Sequence, residues 1–167
     1  MKTTYITDLT YIEEMCAIEQ ASFPTPWARA DIENDILNNP ASRYIGVFEG
    51  EELVGWGCLW LKFDEVLLAT VSIRPDKRRM GFGSALMNAL IQAASDAGGR
   101  YIELQCRTQN APAQAMYCSL GFLRVGRLKG YYTDTGDDAW IYVKIGLPES
   151  HPENDPKLIT ESSEEKA

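Results

Sequence analysis

At 167 residues, with 45% apolar and 24% charged side chains, the chain is long enough for one domain with a core of its own. No apolar run reaches the roughly 18 residues of a membrane span, and Met1-Lys2-Thr3-Thr4-Tyr5 is not the start of a secretory signal. The net charge is -8, shared equally between residues 148–167 and the rest, and an acidic body argues against broad nucleic-acid binding.

That charge suits a cationic substrate, or solubility alone. Cys16, Cys58, Cys106 and Cys118 show no C-x-x-C spacing, and the only histidine, His151, lies in a polar stretch. A zinc site and a histidine-based triad are therefore not expected, and the cysteines read as buried free thiols in a reducing cytoplasm.

Asp8 or Thr10 can cap a first helix whose buried face is Ile12, Met15, Cys16 and Ile18. Phe23-Pro24-Thr25-Pro26-Trp27 breaks it, and a second helix follows through Ile32, Ile36 and Leu37. Residues 44–48 and 53–61 read as strands joined by a tight turn at Glu49-Gly50-Glu51. Residues 66–73 are mostly apolar, which predicts a central strand buried on both faces. A helix is expected over 85–97, with Leu86, Leu90, Ile91, Ala93, Ala94 and Ala97 on one face and Gly98-Gly99 at its end. A strand at 101–106, a short helix at 111–119 closed by Gly121, and strands at 122–128 and 139–145 complete the order. This is an α/β pattern, a mixed sheet with helices on both faces. From Pro148 on, three prolines and few apolar residues predict a disordered acidic tail, placing the folded domain at 1–147.

Between the 66–73 strand and the next helix stands Arg78-Arg79-Met80-Gly81-Phe82-Gly83-Ser84. A helix start exposes unpaired N–H groups and a partial positive charge, and glycines let an anion approach them. The physical prediction is a pyrophosphate cradle. The alternative is a loop that only needs φ > 0. It is neither a Walker loop nor the dinucleotide G-x-G-x-x-G pattern.

Val71-Ser72-Ile73-x-Pro75 followed by Arg78-x-x-Gly81-x-Gly83 resembles the acetyl-CoA signature of the GCN5-related N-acetyltransferase superfamily. Asn110 to Tyr117, then Gly121-Phe122, resembles its second signature. The likeness covers about residues 3–147 and is nearest to the bacterial ribosomal-protein alanine N-acetyltransferases. Glu19-x-x-x-Phe23-x-x-Pro26-Trp27, Asp64-Glu65, and Tyr131-Tyr132 with Asp138-Ala139 are similar to further elements of that branch.

The resemblance implies the acyl-CoA N-acyltransferase fold, a mostly antiparallel sheet splayed beyond residues 71–73, with acetyl-CoA as co-substrate. It implies that Val71, Ser72 and Ile73 hold the pantetheine arm through backbone groups. Arg79, Met80, Gly81, Phe82, Gly83 and Ser84 would hold the pyrophosphate, and Asn110 would touch the cofactor arm. Tyr117 would be the general acid; read by itself, without the resemblance, it is more readily a packing tyrosine on a short helix.

The branch pattern places a basic glutamate where this chain has Gln105, in Leu104-Gln105-Cys106-Arg107. Gln105 cannot take a proton, but it can orient water or the amine, and Glu103 shares its face in a regular strand. Glu65 and Asp138 are other candidate bases, or solvated carboxylates. An N-terminal amine, pKa near ~8, is roughly 10% neutral at pH 7, whereas a lysine, near ~10.4, is neutral only about 0.04% of the time. A site with a weakened base therefore suits an α-amine. Phe23, Trp27, Tyr131, Tyr132 and Asp138 would line an acceptor groove, or simply pack.

The expected function is acetylation of a protein N-terminus, that of a ribosomal protein above all. The alternatives are transfer to a small amine (a polyamine, amino sugar or amino acid) and a weakly active acetyl-CoA-binding module.

Overall fold

The computed structural model describes residues 1–158. Its strands are β1 (Lys2–Tyr5), β2 (Ser42–Glu49), β3 (Glu52–Lys62), β4 (Glu65–Ile73), β5 (Tyr101–Arg107), β6 (Leu123–Tyr132) and β7 (Asp137–Lys144). They form one seven-stranded sheet in the order β1-β2-β3-β4-β5-β7-β6. Every pairing is antiparallel except β4 with β5. The helices are α1 (Ile12–Ser22), α2 (Arg29–Asn38), α3 (Phe82–Asp96) and α4 (Ala111–Ser119).

Two apolar clusters cover the two faces of the sheet. On one, Leu86, Met87, Leu90 and Ala94 of α3 and Tyr117 of α4 meet Val47, Leu59, Leu68, Leu104 and Tyr142. On the other, Ile12, Met15 and Ile18 of α1 and Ile32 and Ile36 of α2 close over Tyr44, Trp56 and Cys58. Trp56 is fully buried there because its indole N–H has a partner, donating to Met15 O at 3.0 Å.

Several local expectations are corrected. Neither Asp8 nor Thr10 caps α1: Tyr11 holds that position, and Asp8 instead accepts the Thr10 amide at 3.0 Å. Leu37 is 55% exposed, since Ile32 and Ile36, one turn apart, already fill the buried stripe of α2. Of the four free thiols only Cys58 and Cys106 are buried; Cys118 is exposed. β1 was not expected, being short and polar, and exists through its pairing with β2.

β4 is central but not buried on both faces: alternate residues are buried and half-buried. Cys58 pairs with Thr70 and Leu59 with Leu68, so Ala69 is an extra residue in β4. Such a bulge reverses the facing of the later residues in the strand. Hence Val66 and Leu68 before it, and Val71 and Ile73 after it, all pack toward the α3 cluster.

The tail also differs from expectation. Residues 148–158 lie against the body, and 159–167 are outside the described residues. Ser95 Oγ donates to Pro148 O, Gln92 Nε2 to Glu149 O, and the His151 amide to Asp96 Oδ1. Asp155 is fully buried, and both its carboxylate oxygens accept from Arg43 Nε, at 2.9 and 3.0 Å. Arg43 Nη1 donates in turn to Pro40 O and Ser42 O. Composition missed this segment because polar contacts hold it, not apolar burial.

Candidate active site

The parallel pairing of β4 with β5 involves only Glu65, Val66 and Leu67, opposite Tyr101, Ile102 and Glu103. Beyond Leu67 and Glu103 the strands part: β4 continues to Ile73 on β3, and β5 continues to Arg107 on β7. The sheet is therefore split, with Glu103 at the apex, the end of β4 on one side, and Gln105 and Arg107 on the other.

Ladder geometry says which backbone groups line the opening. The Arg74 amide donates to Val54 O at 2.7 Å, which continues the ladder at alternate residues through Ser72–Trp56 and Thr70–Cys58. The N–H and C=O groups of Val71 and Ile73 consequently point away from β3, into the split. Ser72 spends its backbone on β3, so it does not share that arrangement, yet its buried hydroxyl has no partner. Arg78 braces this edge, donating from Nε to Ile73 O at 3.0 Å and from Nη2 to Ser22 Oγ at 3.3 Å.

The turn into α3 lies just beyond. Arg79 has φ +59° and Gly81 φ +90°, two left-handed positions, the first rare for a residue with a side chain. They turn the chain sharply so that the amides of Phe82, Gly83 and Ser84 open the helix without intrahelical partners. The Phe82 side chain is buried in the core, whereas Met80 is exposed. A Cβ on Gly83 would lie 3.5 Å from Met116 Sδ, an ordinary contact.

Tyr117 is 6% exposed, its ring 5.8 Å from Phe122 and 6.0 Å from Tyr142. Burial, then the neighbouring Cys106 thiol and Tyr132 hydroxyl, pushes its hydroxyl well above the usual phenol range. Its hydroxyl therefore stays protonated in the folded protein. Burial likewise raises Cys106, to about 11. Tyr132 is half-buried and pushed up to about 12, by burial first and then by Cys106.

Along β5, Ile102, Leu104 and Cys106 face the α3 cluster, so Glu103, Gln105 and Arg107 share the opposite face. Arg107 was not singled out from sequence. Its guanidinium sits 4.0 Å from the Tyr132 ring centre and donates to Asp134 at 2.9 Å and Asp137 at 3.2 Å. Asp134 also accepts from Thr25 Oγ1 at 3.2 Å. The α1–α2 loop and the β6–β7 turn are thereby tied together over the split. Arg107 could have been found from its place beside Gln105; Asp134 had no local signal.

The loop itself is anchored by Glu19, whose buried Oε1 accepts the Trp27 amide at 3.2 Å. Trp27 stacks on Trp60, centroids 5.4 Å apart and planes 6° from parallel. Phe23 ends α1, its amide donating to Glu19 O. Asn110 caps α4, accepting the Ala113 amide at 3.3 Å through Oδ1.

Two of the candidate carboxylates stand apart from the split. Asp138 accepts the Gly130 amide at 2.7 Å and is clasped by Arg127, and these bonds hold its carboxyl below the usual range. Glu65 lies at the start of β4, opposite Tyr101, where the strands are still paired.

The sequence pattern of the acetyltransferase (GNAT) family matches residues 12–122. The [ribosomal protein bS18]-alanine N-acetyltransferase of Escherichia coli (strain K12) is 30% identical over 145 residues, 84% of this chain and 95% of that one. The crystal structure of the ribosomal-protein-S18-alanine N-acetyltransferase from Escherichia coli superposes with a TM-score of 0.76 at 27% identity, covering 90% of this chain and 96% of that one. The ribosomal-protein-alanine N-acetyltransferase from Brucella melitensis shares the fold, with a TM-score of 0.76 at 19% identity, over 87% of this chain and 100% of that one.

The chain belongs to the acetyltransferase (GNAT) family. Its activity is acetyl-CoA-dependent N-acetylation. The residues present fit that coenzyme: backbone amides of Val71 and Ile73 turned into the split, and helix-opening amides at Phe82, Gly83 and Ser84.

Proposed function

We propose that this enzyme acetylates the N-terminal α-amine of a protein, the N-terminal alanine of a ribosomal protein, in the cytoplasm. The observation that carries the reading is the 30% identity, over nearly the whole length, to the Escherichia coli enzyme named for that substrate.

The coenzyme, when bound, supplies a thioester open to attack by a neutral amine. The amides of Val71 and Ile73 orient its arm, the α3 amides with Arg79 and Met80 take its diphosphate, and the free amide nitrogen of Asn110 steadies the arm. Tyr117 keeps its proton in the folded protein and gives it to the departing sulfur. Gln105 orients the amine or a water, and Glu103, on the same face, receives the proton through that water. The substitution of a carboxylate by Gln105 is tolerable because an α-amine is partly neutral near pH 7. Phe23, Trp27 and Tyr132 wall the acceptor channel, and Arg107 holds Tyr132 in place. Asp138 acts by fixing the β6–β7 hairpin.

Incubation with acetyl-CoA and a panel of N-terminal peptides, alongside spermidine and free alanine, tests this by mass. An acetyl group gained only on peptides beginning with alanine or a similarly small residue is the expected result. Transfer to spermidine without transfer to any peptide overturns it.

A further inference from the structure

The two faces of the sheet are not covered alike. On one, α3 packs from β1 across to β5; on the other, α1 packs on β3 and β4, and α2 on β2. Cross-strand register shows what this leaves open. Ile141 pairs with Gln105 and Gly126, Val143 with Glu103 and Leu123, and Ala139 with Leu128. Tyr142, between Ile141 and Val143, belongs to the α3 cluster, so this set faces the same way as Glu103 and Gln105. Leu67, opposite Glu103 on β4, continues the row, and Ile145 stands one residue past β7. Among the described residues, Leu67, Leu123, Leu128, Ile141, Val143 and Ile145 belong to neither apolar cluster. Leu123 is 62% exposed and Ile145 67%, and the other four are half-buried. An apolar sheet face outside both cores marks an interaction surface.

Its position says what meets it. Ile141 and Val143 lie one strand spacing, about 4.8 Å, from Gln105 and Glu103, so the apolar face begins where the acceptor amine is received. The clasp of Arg107, Asp134 and Thr25 stands beyond Gln105, and the Trp27–Trp60 stack stands over β3. A chain leaving the amine along the sheet therefore runs over Ile141 and Val143 toward Leu123 and Ile145. Size argues against a second copy as the occupant. Three strands and three rows span on the order of 300 Å², well below the ~800 Å² per partner of a stable complex. Two copies, each of net charge -8, would also repel, with Glu65 and Glu103 on the contact face.

We infer that this face docks the body of the acceptor protein, through an apolar surface beside the acceptor's N-terminus. The inference rests on the N-terminal acceptor proposed above. It makes a folded acceptor a better substrate than a peptide of the same N-terminal sequence, because binding energy is gathered away from the reacting amine.

The test uses Escherichia coli ribosomal protein bS18, the acceptor for which the relative above is named, in full length and as a peptide of its first six or so residues. The wild-type enzyme should favour the protein about tenfold or more in kcat/KM. The double variant Leu123→Gln, Ile145→Gln should bring that ratio to about two or below. Peptide turnover and Tm should hold, since both side chains are exposed and neither lies beside Gln105. A wild-type ratio near one, or a ratio that the variant does not move, overturns the docking face. Sedimentation of the enzyme alone should show a monomer; a dimer that the variant dissociates assigns the face to a second copy and also overturns it. If neither protein nor peptide gains an acetyl group, the acceptor reading fails, and the face is decided separately by calorimetric titration of bS18 into the enzyme. Binding that the variant weakens about fivefold or more supports the face; binding unmoved by the variant, or none, overturns it.

Discussion

Replacing Tyr117 by phenylalanine removes one oxygen from a side chain that is 6% exposed and leaves the ring against Phe122 and Tyr142. Because burial, then Cys106 and Tyr132, lifts this hydroxyl well above the ordinary phenol range, it carries its proton throughout pH 6 to 10. A positioned general acid contributes about 10²–10⁴ in rate, which is roughly 2.7–5.5 kcal/mol of barrier. The same change alters folding by about 1 kcal/mol or less, since the ring contacts persist. Tyr117→Phe should therefore lower kcat about 100-fold or more, with coenzyme A affinity by calorimetry within about twofold and Tm within about 3 °C. The pH profile adds a check. The rate should rise through deprotonation of the acceptor amine near ~8 and show no falling limb before ~10, and the variant should keep that rise at lower height. For stability, a folded-state value raised above the unfolded ~10 adds a contribution present at lower pH and lost only above it. A kcat within threefold of wild type would refute the acid role, as would a loss matched by equal falls in coenzyme affinity and Tm.

Asp155→Ala strands the buried Arg43 guanidinium and should cost about 3–5 kcal/mol, read as a Tm drop of roughly 10 °C; an unchanged Tm would mean that residues 148–158 do not dock in solution. Gly83→Ala should split two readouts: folding unchanged or up to about 1 kcal/mol better, coenzyme A binding at least about tenfold weaker by calorimetry, because the new methyl meets only ordinary contact inside the protein. Gln105→Glu should raise kcat at pH 7 by about tenfold and have little effect above pH 9, where an α-amine needs no base; equal effects at both pH values would assign Gln105 to packing. Burial raises the Glu19 carboxyl, partly offset by the Trp27 amide, so its folded-state penalty grows as pH climbs above ~4.3. Glu19→Gln keeps an acceptor for that amide and should gain a few degrees of Tm at pH 8 but not at pH 4.

Local pattern was enough wherever one segment carries its own physical signal. The α3 stripe from Leu86 to Ala94, the glycine turn before it, and the β2–β3 hairpin are set by periodicity and by backbone freedom, which residues near in sequence express together. The same holds for Tyr117 and Gly83, whose placement follows from a short helix and a helix start. Where distant segments decide, the sequence was silent. The β1 strand exists by pairing with β2, the bulge at Ala69 by its register with β3, and the docking of residues 148–158 by polar contacts to Ser95, Gln92 and Asp96 and the buried ion pair between Asp155 and Arg43. Arg107, Asp134 and Thr25 become a site wall only once the sheet brings their elements together. Periodicity reports what a residue does to its neighbours along the chain; a polar contact across more than a hundred residues has no periodicity, so only tertiary structure can make it.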